Sequence, residues 1–325
     1  MVSLFGRGFD SLQLHKEPCH EGGALTLKHK NMKSKMLCNV FTLLMATALM
    51  SSCEKMSLSE SAESGESNVV LRVTQFEQTP FPIATRASSP SSVCTSLNFL
   101  VYQNDTRIRQ ENQSVGDANF GEATLKLSEG RYFVVILAHS SNSAPTANSA
   151  KRISFTDTKG YTDTFLYADS LIVGSVDVSR DVILKRIVSK IRFIFDDNIP
   201  ANADFIQFQY KGGSRALDAM NDGWGLTSST YSQQNHWYEL SRTEKKFEIF
   251  TIPRADDSTL EVTVRAYQDD KNESNIVSSR EIKGIPIERN KITTCYGSLF
   301  SPVYGANFKI TIDDDWEKDS IIYNF

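Results

Sequence analysis

The sequence predicts an all-β protein: two tandem immunoglobulin-like β-sandwiches set behind an N-terminal export leader. Three observations predict it. Short apolar runs in steps of two recur from residue 68 onwards, broken by clusters of Gly, Pro, Asn, Asp and Ser. Long helical periodicity is absent, although a short helix is predicted around Ala216–Met220. Beyond Cys53 the chain continues for roughly 270 residues, which two sandwiches of about 100 to 150 residues each accommodate most simply.

The leader comes first. Met32 to Cys53 reads MKSKMLCNVFTLLMATALMSSC and has the parts of a secretory signal: Lys33 and Lys35, an apolar run from Met36 to Met50, then small residues. At about 1.5 Å per helical residue that run reaches about 22 Å, short of a hydrocarbon core of about 30 Å. Residues 32–52 are therefore a signal peptide rather than a membrane span. Met50-Ser51-Ser52-Cys53 resembles a lipobox, which predicts cleavage before Cys53 and lipid on its thiol. Several acyl chains hold a protein on a bilayer where one does not. An ordinary signal peptide, or a buried thiol at Cys53, is the alternative. Residues 1–31 precede this complete signal and read as an extension ahead of a start at Met32 or Met36. Cys19, His15, His20 and His29 within it match no zinc spacing.

Residues 53–67 continue with Ser and Glu and almost nothing apolar, so they are expected to form a disordered tether. The first sandwich is expected over residues 68–180. Asn68–Thr74 and Leu97–Tyr102 are strands, and Ala123–Leu127 followed by Arg131–His139 predicts a hairpin across Ser-Glu-Gly. RYFVVILAH is apolar on both faces, as suits a central strand covered on both sides. Leu171–Val178 and Val182–Phe195 continue the series. The second sandwich is expected over residues 181–325. There Leu260, Val262, Val264 and Ala266 alternate with Glu261, Thr263, Arg265 and Tyr267, and Phe308, Ile310 and Ile312 repeat the scheme. Phe205–Tyr210, Trp237–Leu240 and Lys246–Ile252 add strands, and Gly284-Ile-Pro-Ile is predicted as an edge because proline cannot donate to a ladder.

Chemistry is scarce. The 35 basic and 39 acidic residues are interspersed, with a net charge of -4 and no basic stripe, so nucleic acid is not an expected partner. Beyond the leader there are two histidines: His139 ends an apolar strand and reads as a satisfied buried imidazole, and His236 sits beside Trp237 in a polar loop. GxSxG, HExxH, phosphate-loop and GxGxxG patterns are absent. Asp196-Asp197-Asn198, Asp256-Asp257 and Asp313-Asp314-Asp315 lack calcium-loop spacing and are expected to be solvated loop charges. No catalytic, cofactor-binding or metal residue is assigned. Trp224, Trp237 and Trp316 are expected to close sandwich cores, with sugar stacking on Trp237 as the functional alternative. Cys94 and Cys295 form either one disulfide or two buried thiols.

Four features together resemble a known family, the FimB-type fimbrillin-associated anchor lipoproteins of Bacteroidales type V pili. They are the lipobox Cys53, the strand Arg131–His139, the segment LKRIVSKIRFIF at Leu184–Phe195 with its Arg and Lys facing water, and the closing run GIPIERNKITTCYGSLFS followed by IDDDW. The resemblance covers most of the chain beyond Cys53. It implies a pair of transthyretin-like sandwiches on the outer membrane, held by lipid, attaching a fimbrium and limiting its length, with fimbrial shaft subunits as partners. It also implies joining by donor-strand exchange, in which a strand completes an open sandwich. In shaft subunits of the family an arginine-specific protease removes an N-terminal strand, which makes Arg86 a candidate cleavage site. Ile321, Tyr323 and Phe325 alternate and are candidates for a donor strand or a last strand of their own sheet. A polymerising shaft or tip subunit and a surface glycan-binding lipoprotein are the alternative readings.

Overall fold

The computed structural model describes residues 68–77, 89–156, 162–228, 230, 233–269, 271–301 and 308–313. Nine strands form in the first part of the chain: β1 (Val69–Glu77), β2 (Ser96–Gln103), β3 (Thr106–Ser114), β4 (Glu122–Leu125), β5 (Gly130–His139), β6 (Thr146–Ser149), β7 (Arg152–Ser154), β8 (Phe165–Val173) and β9 (Val178–Arg186). Ten come after them: β10 (Ser189–Phe195), β11 (Phe205–Lys211), β12 (Ala216–Asp218), β13 (Trp224–Gly225), β14 (Gln233–Glu239), β15 (Lys246–Thr251), β16 (Thr259–Tyr267), β17 (Ile276–Pro286), β18 (Ile292–Gly297) and β19 (Lys309–Asp313). The fold is all-β, as the period of two requires.

The first sandwich is one seven-stranded sheet, in the order β3-β2-β5-β8-β9-β1-β4. It bends between β8 and β9, which pair only at Phe165 with Arg186 and Leu166 with Lys185. The inward rows of β2, β5 and β8 therefore meet those of β9, β1 and β4 around one core that includes Leu71, Phe99, Ile136, Phe165 and Leu184. β5 is central, between β2 and β8. Its Val134 and Ile136 enter that core while Val135 and Leu137 enter another on the opposite face, so its apolar run is explained by burial on both sides.

In the second sandwich the sheets β15-β10-β18-β19 and β14-β11-β16-β17 pack face to face. Leu260, Val262, Val264 and Ala266 are wholly buried on β16, with Glu261 exposed between them. β17 lies at the edge of its sheet, as its proline predicts. Phe308 and Ile310 pack on the core, whereas Ile312 is exposed.

A third core laces the two sandwiches. Leu100, Tyr102, Val135 and Leu137 on the outer face of β2 and β5 meet Ile153 and Phe155 around β7, and Leu217 of β12. β12 pairs with β7 through Ala216 with Ser154 and Leu217 with Ile153. The helix expected around Ala216–Met220 is thus a strand; three residues offered a ladder partner by β7 gain more than an isolated helical turn, whose nucleation is unfavourable. Leu217→Ala is expected to lower stability by about 2 to 5 kcal/mol, read from the urea midpoint at an unchanged slope.

Other expectations are corrected. Ala123–Leu127 and Arg131–His139 do not form a hairpin: β4 pairs antiparallel with β1 in the opposite layer. The Asn68 side chain directs this crossing, donating to Leu127 O at 2.6 Å and accepting from Leu127 N at 2.9 Å. Leu171–Val178 spans the end of β8, a turn and the first residue of β9, and Val182–Phe195 is divided between β9 and β10. In that second segment Arg186 and Arg192 are buried rather than facing water. Arg186 pairs with Asp163, and Arg192 and Lys190 share Glu248 at 2.8 and 3.5 Å. Burial works to raise the Glu248 carboxyl, but the two cations outweigh it and hold it below the usual carboxylate range.

Candidate functional site

Two features of the first sandwich stand out: the slot that β1 fills and a seam beside it. β1 runs parallel to β9 from Val69 opposite Val178 to Glu77 opposite Lys185, with a bulge after Val73, and antiparallel to β4 on its other side. Val69, Leu71, Val73 and Phe76 point into the core, and the Phe76 ring meets Phe165 edge-on at 5.1 Å. Outside, Arg72 clamps both neighbours, donating to Glu122 Oε2 of β4 at 2.6 Å and to Ser179 Oγ of β9 at 2.8 Å. A row of buried alternate side chains between two ladders is the geometry by which one strand can be exchanged for another.

The seam lies on the other side of β9. Beyond their two paired positions, β8 continues to Val173 and β9 reaches back to Val178 with no mutual ladder among the described residues. Alternation places Asp169 on the inward row of β8, between Tyr167 and Leu171. It is tolerated there because Arg180 of β9 crosses the gap, its Nη1 donating to Tyr167 Oη at 3.1 Å, Asp169 Oδ2 at 3.2 Å and Ser170 O at 3.0 Å. On the outer face the seam opens into a cavity of about 900 Å³ lined by Ser170, Asp181, Ile183, Lys185, Met220 and Arg289. Arg289 stacks 3.7 Å from the Trp224 ring centroid and donates to Asp222 O at 2.8 Å, which forms the far wall.

The remaining candidates resolve differently. Cys53, Arg86, Trp316, Ile321, Tyr323 and Phe325 lie outside the described residues. His139 is the satisfied imidazole expected, its Nε2 2.8 Å from Asn98 Oδ1 and its Nδ1 accepting from Ser141 N at 3.1 Å. His236 and Trp237 are in strand β14, not a loop, because β14 pairs with β11 along its whole length. Trp237 closes no core: it sits against Tyr267 at 5.1 Å with the Lys271 ammonium 5.1 Å over its ring. Trp224 is the platform for Arg289. Asp197 is no solvated charge, since it accepts from the backbone N–H groups of Leu299, Phe300 and Ser301 and so caps that turn. Asp256 and Asp257 are both paired with Arg254. Among the described residues no group of three or more His, Cys, Asp or Glu could hold a metal ion.

Cys94 and Cys295 are free and buried, which settles the disulfide alternative. Burial pushes each thiol from the ordinary 9.0 up to about 12. The folded chain therefore holds protons that the unfolded chain releases, so this contribution to stability is complete below pH 9.0 and is lost as pH rises through about 12. The urea midpoint is expected to decline over that window, and dithionitrobenzoate is expected to label both thiols only after unfolding.

Fold and site together define a two-sandwich β-protein whose first strand is paired on both sides and buried in the core of the first sandwich. The chain belongs to the Family of unknown function (DUF6562), whose model matches residues 99–324. No curated protein matches it. Among solved structures it is similar to a candidate cell adhesion protein from Bacteroides ovatus (10% identity, TM-score 0.46, covering 78% of this chain and 100% of that one). A candidate adhesin from the same species (12%, 0.44, 67% and 83%) and a fimbrial assembly protein from Parabacteroides distasonis (12%, 0.36, 75% and 97%) are also similar.

Proposed function

We propose that this chain is an outer-membrane lipoprotein, acylated on Cys53, that anchors a fimbrium and limits its length, joining shaft subunits by exchange of strands. The observation that carries the reading is the placement of β1. Beginning 16 residues after Cys53, the chain enters a strand that is hydrogen-bonded on both sides and supplies four core side chains. Ladder hydrogen bonds run across the strand, so a pull along β1 from the membrane loads them together rather than one at a time. Such a strand is a mechanical link between lipid and body, and a cut after Arg86, between β1 and β2, would sever it unless the released strand stayed paired. A shaft or tip subunit would instead lose β1 and Cys53 with it.

The test is the mature N-terminus. The protein taken from native outer membranes, with whatever copurifies, is subjected to intact-mass and peptide mass spectrometry. An uncut chain beginning at acylated Cys53 and bound to fimbrial subunits is the expected result. A chain beginning at Ala87 without lipid would make it a shaft or tip subunit, and an acylated chain with no fimbrial partner would overturn the reading in favour of another surface lipoprotein.

A further inference from the structure

If β1 stays in place to hold the body to the membrane, its slot is closed to any incoming strand. We propose, resting on the anchor reading, that the seam between β8 and β9 is the acceptor instead, taking one extended strand from the adjoining fimbrial subunit.

The backbone argues for the class of occupant. From Tyr167 to Val173 on β8 and from Val178 to Leu184 on β9, two strand edges face one gap without pairing each other among the described residues. Rows of peptide N–H and C=O at strand spacing are matched by another strand, which recognises them without a sequence motif and here would displace the Arg180 and Asp169 side chains from Ser170 O and N. At about 3.3 Å per residue the open stretch takes roughly seven residues.

The side chains argue for its pattern. On the outer face Ile172 and Ile183 flank the gap at 63% and 47% exposure, with Val176 at the open end at 77% and Met220 on the far wall at 50%. These are half of the large apolar residues left exposed among the described ones, gathered at one hairpin and the wall opposite it. On the inner face the floor is polar, made by the Arg180–Asp169 pair and Tyr167. The matching strand carries apolar side chains outward, against Ile172, Ile183 and Met220, and small or hydrogen-bonding ones inward. The cavity of about 900 Å³ provides the room.

The experiment places the photo-crosslinking residue p-benzoylphenylalanine at Ile183, and separately at Ser170, in the full chain expressed in its own bacterium, with Ile108 on β3 as a remote exposed control. Both seam positions are on the outer face, and an unchanged thermal transition verifies each variant. The expected result is a crosslink from both seam positions, but not from Ile108, to a terminal segment of a copurifying fimbrial subunit. Copurification of subunits without a seam crosslink would overturn the seam and leave the anchor reading standing. A crosslink to this chain's own residues, or to a second copy of it, would overturn it as well. Loss of all fimbrial subunits from the purified chain would instead sink the anchor reading, and this proposal with it.

Discussion

A chain trimmed to begin at Ala87 is expected to lose its cooperative unfolding transition, and to recover it when a peptide of residues 68–77 is supplied in trans. β1 buries Val69, Leu71, Val73 and Phe76 almost completely. Fully burying an apolar side chain is worth about 1.5 to 3 kcal/mol, so four contribute roughly 6 to 12 kcal/mol, comparable with the roughly 5 to 15 kcal/mol that holds a whole domain folded. Trimming also bares the edges of β4 and β9 on either side of an emptied core, a surface prone to association. Circular dichroism during urea titration, with and without the peptide, is the measurement. An unchanged transition in the trimmed chain would show that β1 is dispensable to the fold and would remove the basis for treating it as a link under load.

Asp163→Ala is expected to cost about 3 to 5 kcal/mol, the range for leaving a buried charge without its partner. Arg186 is only 5% exposed at its side chain, and Asp163 accepts from its Nε at 2.7 Å and its Nη2 at 2.8 Å. Nη1 goes to Asn290 at 2.8 Å, and the guanidinium lies 4.6 Å from the Phe165 ring centroid. The backbone of the same arginine pairs with Phe165 at the closed end of the seam, so the strained guanidinium would lie at the point where β8 and β9 are stitched together. The double variant Asp163→Leu with Arg186→Met is expected to be far closer to the parent than Asp163→Ala, since replacing both charges by apolar groups removes the desolvation cost along with the attraction. A double-mutant cycle in urea checks this, and a single variant within about 1 kcal/mol of the parent would rule the account out.

Legibility in the sequence varies with the kind of signal. β5 and β16 can be read directly, because one is apolar on both faces and the other alternates without a break. β3 escapes such a reading: TRIRQENQS holds one aliphatic residue, Ile108, so its alternation carries no hydrophobic contrast. The turn before it is the available cue, since Asn104 and Asp105 take φ of 50° and 63°, the left-handed pair that a two-residue hairpin loop needs and that Asn and Asp tolerate. Arg186 and Arg192 are expected to face water because charge normally does; their carboxylate partners, Asp163 just before β8 and Glu248 on β15, are distant in sequence and cannot be found from spacing.

Residue pattern alone specifies the class of fold and which faces of the better-patterned strands are buried, and it raises the expectation of an export leader ending at Cys53. Which strand lies beside which is decided only in three dimensions. Packing sets β4 against β1 instead of β5, draws Leu217 into a strand that laces the two sandwiches, and leaves β8 and β9 apart over most of their length. The cause is that alternation specifies a face but not a neighbour. Ladder hydrogen bonds join backbone groups that every residue except proline carries in full, so the choice of partner is made by how the buried rows of distant segments pack together.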